Sequence, residues 1–208
     1  MCSGLVFATN PLGNNKTHLA VSKQTFMIQL VQVPKTNYQL QQMMKVHYSQ
    51  PKGFVGRSIC YLVSFNEVIY GGIVGGSATL HLPGRNEFLS VDKTRLSGVV
   101  NNIFYHVQKM DGTYPTRNFT VKVLEKWRQR ITTDWTRKYG DIVTGFESLV
   151  ELPRTGEVYM REGWTLVGQT TGYTCKRTAG TGTDSWSGKR VWNTTDLRPK
   201  HVFCRKEI

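Results

Sequence analysis

Apolar and polar positions alternate along much of this chain, and the pattern lays out the elements before any chemistry is considered. FMIQLVQV, residues 26–33, alternates and stops at Pro34, as a half-buried strand does. NYQLQQMMKVHYS, residues 37–49, instead spaces Leu40, Met43, Met44 and His47 along one helix face, with Asn37 as its cap. SICYLVSF (58–65), Asn66-Glu67 and VIYGGIVGGSA (68–78) read as a β-hairpin. The glycines of its second strand permit a bulge, or a close approach of ligand to backbone. LHLPGRNEF (80–88) reads as a loop around Pro83-Gly84, and MDGTYP (110–115) as a turn. Between them, RLSGVVNNIFYHV (95–107) is strand-like and buried, with Asn101 and Asn102 at its centre.

The clearest helix is predicted over residues 118–140. Phe119, Val123, Trp127, Ile131 and Trp135 recur every four residues, and Leu124 widens the stripe. Asn118 suits the N-cap and Gly140 the C-terminal stop. Lys126, Arg128, Arg130, Arg137 and Lys138 lie off the stripe and read either as phosphate contacts or as a solvated face. A strand (142–152), a short helix (157–164) and another strand (165–170) follow. Residues 172–190 read as a flexible basic loop, VWNTT and HVFCRKE as strands that close the sheet, and residues 1–24 as an irregular lead-in. The order β-α-ββ-α-β-α-β predicts a single α/β domain around a mostly antiparallel sheet.

Composition agrees with a packed core: 39% of the 208 residues are hydrophobic, and nine Phe, nine Tyr and five Trp are among them. No apolar run approaches the roughly 18–20 residues that a membrane helix needs. The opening MCSGLVFATNPLG has no basic stretch followed by an apolar one, and the four cysteines form no CxxC pair. The expectation is a reduced, cytoplasmic setting, with no membrane partner. The net charge of +13 is unevenly spread. Residues 1–57 carry six Lys/Arg and no acid, residues 58–153 carry eleven basic and nine acidic groups, and residues 154–208 carry ten and five. A balanced middle with basic ends fits a polyanionic partner, and nucleic acid is the expected one.

Against that background, the carboxylates of ESLVELPRTGEVYMREGWTLVGQTTG (147–172) stand out. Alternation puts Glu147, Leu149 and Glu151 on one side of a strand, and Phe146, Ser148 and Val150 on the other. A carboxylate at a strand end is either a general base or the partner of one of the 27 Lys/Arg. Tyr159 and Trp164 either anchor a short helix or meet a base, the tyrosine hydroxyl giving or taking a proton. His47, Tyr48 and Ser49 stand together at a helix end. Asn101 and Asn102, within an apolar run, either satisfy backbone groups or read a base edge. Lys176, Arg177, Trp186, Lys189 and Arg190 interleave basic groups with an aromatic, which suits phosphate contact and stacking, or simply a mobile loop. There is no Walker loop, GxGxxG, HExxH or zinc spacing, and no Q/R-x-x-G-x-G/A pyrophosphate loop before the long helix.

Taken together, HYS (47–49), the glycine-rich hairpin, VVNN (99–102), Asp134-Trp135, Tyr139-Gly140 and the 147–172 block resemble two related groups. One is the Mom DNA-modification proteins of bacteriophage Mu; the other is a domain family found in Druantia anti-phage systems and near transposases. The resemblance spans roughly residues 40–172. It implies a fold like that of the GCN5-related N-acetyltransferases (GNATs), a twisted mixed, mostly antiparallel sheet with flanking helices. It also implies a transferase that converts the exocyclic amine of adenine in double-stranded DNA to a carbamoylmethyl derivative, shielding the DNA from restriction. By position, His47 and Tyr48 match the family's HYS, and Ser148 and Glu151 fall near its serine and acidic strand-end residue. Tyr159 and Trp164 match its tyrosine and tryptophan, and the acid here is Glu where the family has Asp. The implied catalytic set is Glu151, Tyr159, Tyr48, His47 and Ser148, with Trp164 as a pocket wall.

The sequence leaves the group donor open: an acyl-CoA or another small molecule, with a metal ion held by His47, Tyr48 and Glu151 as a further option. Two rivals also stand. One is a non-catalytic DNA-binding accessory protein of a defence or transposition system, and the other is a basic structural protein.

Overall fold

The computed structural model describes residues 27–177, 190–193, 195 and 197–207. Seven strands form one sheet in the order β1-β2-β3-β4-β5-β9-β6. They are β1 (Ile28–Val33), β2 (Ser58–Phe65), β3 (Val68–Ser77), β4 (Val99–Val107), β5 (Gly145–Glu151), β6 (Thr165–Gln169) and β9 (Lys200–Lys206). Neighbours run antiparallel except β4 and β5, which are parallel and joined by a helical crossover. Helices α1 (Tyr38–Val46) and α2 (Arg85–Leu89) cover one face, and α3 (Phe119–Tyr139) and α4 (Glu157–Glu162) cover the other. With both faces covered, β2 is buried at all eight positions and loses the alternation of a half-exposed strand.

The stripe on α3 does what its spacing predicts. Phe119, Val123, Leu124, Trp127, Ile131 and Trp135 are buried against Ile59, Tyr61, Val63 and Ile73 of the sheet. Burying side chains of this size contributes about 1.5–3 kcal/mol each. Gly75 of β3 serves this contact. A Cβ on Gly75 would lie 2.0 Å from Ile131 Cδ1. The glycine-rich strand therefore admits a helix, where the sequence had also allowed a ligand. Asn37 caps α1 as expected, accepting from the Leu40 amide at 3.0 Å, and Gly140 ends α3 in the left-handed region.

Several expectations need correction. Asn118 does not cap α3 with its side chain; it sits at φ 59°, and its Oδ1 accepts instead from Arg161 at 2.6 Å. Arg85–Leu89, read as loop, is α2, because Gly84 at φ 70° turns the chain into a helix straight after Pro83. β9 does not close the sheet; it lies between β5 and β6. β8 (Arg190–Asn193) joins β7 (Thr174–Arg177) in a separate two-stranded ribbon, so both ends of the expected loop are strands. On α3, Arg128 pairs with Glu162 and Glu207, and Arg130 and Arg137 both clamp Asp134; these cations are engaged within the protein.

Candidate functional site

β4 and β5 pair over three residues only: Val99 with Gly145, Val100 with Phe146, and Asn101 with Glu147. Beyond that point β4 follows β3 and β5 follows β9, so the two strands part. A cavity of about 740 Å³ opens where they diverge. Its walls include Asn101–Tyr105 of β4, Ser148–Val150 of β5, His47–Ser49 after α1, Thr79, Pro153–Tyr159 and Lys200.

A bulge in β4 shapes this wall. Val74 pairs with Phe104 and Gly75 with Asn102, which leaves Ile103 without a partner in the register. Ile103 and Phe104 therefore both pack on the α1 side with Leu40, while Val100 and Tyr105 pack on the α3 side. As neighbours on the pleated strand ahead of the bulge, the two asparagines serve opposite faces. Asn102 Nδ2 donates to the carbonyls of Val74 and Phe104, at 3.3 and 3.4 Å, and its Oδ1 accepts from the Tyr159 hydroxyl at 2.7 Å. Ser148 Oγ lies 3.2 Å from the Asn102 carbonyl and also faces the Tyr159 oxygen. Asn101 Nδ2 donates to Thr79 Oγ1 at 3.1 Å on the α2 side.

Burial pushes the Tyr159 phenol well above the usual tyrosine range, with the Ser148 hydroxyl opposing and Tyr48 adding to the rise. It is a neutral hydrogen-bond donor at physiological pH. His47 is held down to about 4, first by burial, then by His106, with the Tyr105 carbonyl opposing and Arg154 adding to the fall. Its Nδ1 accepts from the Ser49 amide at 3.3 Å and lies 2.8 Å from Ser49 Oγ. That bond places the single ring proton on Nε2. Tyr48, 41% exposed, lies under the Arg154 guanidinium, whose Cζ is 3.6 Å from the ring centre. Burial raises the Tyr48 phenol; Arg154 opposes, and Glu151 acts in both directions through its charge and its backbone.

His47, Tyr48, Asn101, Asn102, Ser148 and Tyr159, six of the residues singled out from sequence, thus line one cleft. Two others do not. Glu151 stands at the end of β5, outside the lining, opposite Lys200 in the register and 3.8 Å from its ammonium. Trp164 is no wall: it is buried behind Tyr159, ring centres 5.1 Å apart, and its indole N–H bonds Glu162. Glu147 is buried and paired with Arg85, the salt-bridge reading of that carboxylate. Burial raises its carboxyl, against the Thr79 amide and Arg85. Lys176, Arg177 and Arg190 lie in the β7–β8 ribbon, away from the sheet register of the cleft. Trp186 and Lys189 fall outside the described residues.

Four residues of the site were missed in the sequence: Thr79, Arg85, Arg154 and Lys200. Arg85 had no signal at all, since an arginine after Pro-Gly reads as surface. Arg154, next to the turn at Pro153, carried the one usable hint, a cation among aromatics. Among the described residues, no group of three or more His, Cys, Asp or Glu is placed to hold a metal ion. Among the described residues, no helix is long and apolar enough to cross a membrane.

No protein-family model matches the chain, and no curated protein does. Solved structures do share its arrangement. An acetyltransferase from Bacillus subtilis in complex with CoA has a TM-score of 0.53 at 10% identity, over 88% of this chain and 99% of that one. A GNAT family acetyltransferase from Elizabethkingia anophelis with acetyl-CoA bound has 0.51 at 9% identity, over 86% and 98%. Arabidopsis thaliana NAA60 in complex with a bisubstrate analogue has 0.53 at 13% identity, over 88% and 100%. At such identities the likeness is one of fold. The chain has the fold of the GNAT acetyltransferases.

Proposed function

We propose that this protein is a group transferase that modifies the exocyclic amine of adenine in duplex DNA, in the manner of the Mom proteins, drawing on a small-molecule donor. The observation that carries the reading is the cleft. Residues as far apart in sequence as His47 and Tyr159 line one cavity between two diverging strands, and they supply neutral donors and acceptors at its walls. The Tyr48–Arg154 stack and Lys200 add a planar, cationic rim suited to a nucleotide. The net charge of +13 supports a polyanionic partner.

Adenine N6 is a weak nucleophile, since its lone pair is delocalised into the ring, and it is stacked inside the duplex. An enzyme acting on it must extrude the base at a cost of a few kcal/mol and hold its edge. Amide groups such as that of Asn101 suit that edge. As the new bond forms, N6 releases a proton. Within the cleft the lone pair of the neutral His47 imidazole is on Nδ1, 2.8 Å from Ser49 Oγ, so a proton would reach it through the Ser49 hydroxyl, whereas Glu151, outside the lining, suits a role through Tyr48 or Lys200. A departing group on the α4 side would meet the Tyr159 hydroxyl, which is protonated and able to give a hydrogen.

The fold makes an acyl-CoA one candidate donor. The cleft and the bulged β4 fit the slender reactive arm of such a molecule, with Asn101, Arg154 and Lys200 placed to hold it. The connection before α3, residues 108–118, has one glycine, Gly112, so phosphates would be met by side chains rather than by a glycine-rich turn. Bound there, the group would supply the activated carbon that the amine attacks.

A test is restriction of plasmid DNA from cells expressing the protein, using enzymes blocked by changes at adenine N6. The expected result is protection by the parent protein and cleavage with Tyr159→Phe or Ser148→Ala. Full cleavage in the presence of folded, DNA-bound parent protein overturns the reading and favours a binding protein.

A further inference from the structure

The two Lys/Arg side chains of the cleft lining are placed differently. Lys200 has the Glu151 carboxylate 3.8 Å away. Arg154, which is exposed, has no carboxylate on its guanidinium among the described residues. The acid of the lining, Glu157, is 3.5 Å from Arg161 instead. An exposed arginine without an acid normally extends into water. Arg154 is folded back over Tyr48, with its Cζ 3.6 Å from the ring centre.

At that distance the guanidinium lies flat on the ring, because two planar groups in contact sit about 3.5–4 Å apart. Tyr48 is itself backed from within. Its ring centre is 4.2 Å from that of His47, and the His47 ring centre is 4.8 Å from that of Phe104 on β4. The Arg154 amide donates to the Glu151 carbonyl at 3.2 Å, which closes the turn that carries the side chain. A row of planar groups thus runs from Phe104 through His47 and Tyr48 to Arg154, from the core to the rim of the cleft. A base cannot take the face of Tyr48 that Arg154 covers. It meets the outer face of the guanidinium first, and the N–H groups at the edge of that plane have no anion.

We infer that the outer face of the Arg154 guanidinium, backed by Tyr48, is the stacking platform for a nucleobase at the cleft, and that its N–H edge holds that nucleotide's phosphate. Guanidinium planes stack on aromatic rings and pair with phosphate along their edge, whereas a lysine brings the charge without the plane. Holding the side chain flat before the ligand arrives also reduces the rotamer freedom lost on binding. Two sources share this chemistry: a base extruded from DNA, and the adenine of an acyl-CoA donor. The inference rests on the proposed reading of the cleft as the site of nucleotide contact. Arg154 touches the ligand; Tyr48 is the positioning residue behind it.

The test titrates the full-length protein, Arg154→Lys, Tyr48→Leu and Tyr48→Phe with three probes. The first is a short single-stranded oligodeoxyadenylate, whose bases need no extrusion. The second is an abasic strand of the same length and charge, and the third is acetyl-CoA. The parent is expected to prefer the adenylate over the abasic strand. Arg154→Lys and Tyr48→Leu are expected to cut that preference about tenfold, with the abasic strand bound within about twofold of the parent. Tyr48→Phe keeps the ring and should keep the preference. Arg154→Lys should also keep the dependence of affinity on salt, since the charge is unchanged. A tenfold loss on acetyl-CoA in the same two variants, with the strand preference unmoved, assigns the platform to the donor's adenine. Arg154→Lys equal to the parent on every probe shows that charge alone acts and overturns the inference, as does an equal loss on both strands. A parent that binds the two strands alike, with acetyl-CoA indifferent to the variants, overturns it too and leaves DNA binding standing. A parent that binds none of the probes removes the reading of the cleft as well.

Discussion

The Tyr159 hydroxyl donates to Asn102 Oδ1 across 2.7 Å, and that bond ties α4 to the bulged strand β4 at the cleft. It joins a residue that brings a phenolic proton to the α4 side with the residue that satisfies the backbone where β4 changes register. Chemistry and fold meet at a single hydrogen bond, so its removal has two separable consequences.

Tyr159→Phe leaves Asn102 Oδ1 buried without its donor. The expected loss of stability is about 1–2 kcal/mol, read from urea unfolding. The expected loss of modifying activity is larger, on the order of 10²-fold or more, since a positioned proton donor typically contributes that much. A variant that is less stable but fully active would assign the phenol to structure alone.

Arg85→Met leaves the Glu147 charge buried and uncompensated, and should cost about 3–5 kcal/mol. Adding Glu147→Leu removes the orphaned charge, at the smaller cost of leaving the Thr79 amide unpaired. The double variant is expected to be more stable than Arg85→Met, with the order of urea midpoints as the readout. A double variant as unstable as the single one would contradict the account of this pair.

His47 gives a pH dependence of definite sign. Its folded value of about 4 lies below the ordinary 6.5, so between those pH values the unfolded chain binds more protons than the folded one. Stability then falls as pH drops from 6.5 toward 4, by up to about 3 kcal/mol from this residue, and no further below. His106, lowered first by burial and opposed by Gln108, acts in the same direction. His47→Gln should flatten the slope of stability against pH over that interval; an unchanged slope would show that His47 titrates normally.

Gly75→Ala sets a methyl group against Ile131 Cδ1 and should cost about 1–3 kcal/mol by overpacking. Ile131→Val deletes the offending carbon. The two changes together are expected to be less harmful than the sum of each alone, a coupling that a double-mutant cycle measures. Strict additivity would mean that β3 and α3 do not meet as described.

Patterns with a short period were the readable part of this chain. The four-residue stripe of Phe119, Val123, Trp127, Ile131 and Trp135 fixed α3, and alternation in β5 placed Glu147 and Leu149 opposite Phe146 and Val150. The pairing of non-neighbouring strands was not readable. That β9 enters between β5 and β6, bringing Lys200 to the cleft, depends on contacts spanning some fifty residues, and no local signal records it. The bulge at Ile103 was equally silent, although the carbonyls that Asn102 satisfies, of Val74 and Phe104, lie at it. Asn118 failed as a cap for a local reason: its left-handed backbone turns the side chain toward Arg161. For the site, the aromatic and hydroxyl residues were legible by type, while the roles of Glu151 and Trp164 were not. Glu151 ends its strand paired with Lys200, and Trp164 packs behind Tyr159, and neither is visible from spacing.

The most direct measurement is nucleoside mass spectrometry of DNA from cells expressing the parent protein beside DNA from cells expressing Tyr159→Phe. The account predicts a new adenine-derived nucleoside with the parent, its added mass giving the transferred group, and its loss or near-loss with the variant. Unmodified adenine in both, with the parent folded and bound to DNA, would contradict it.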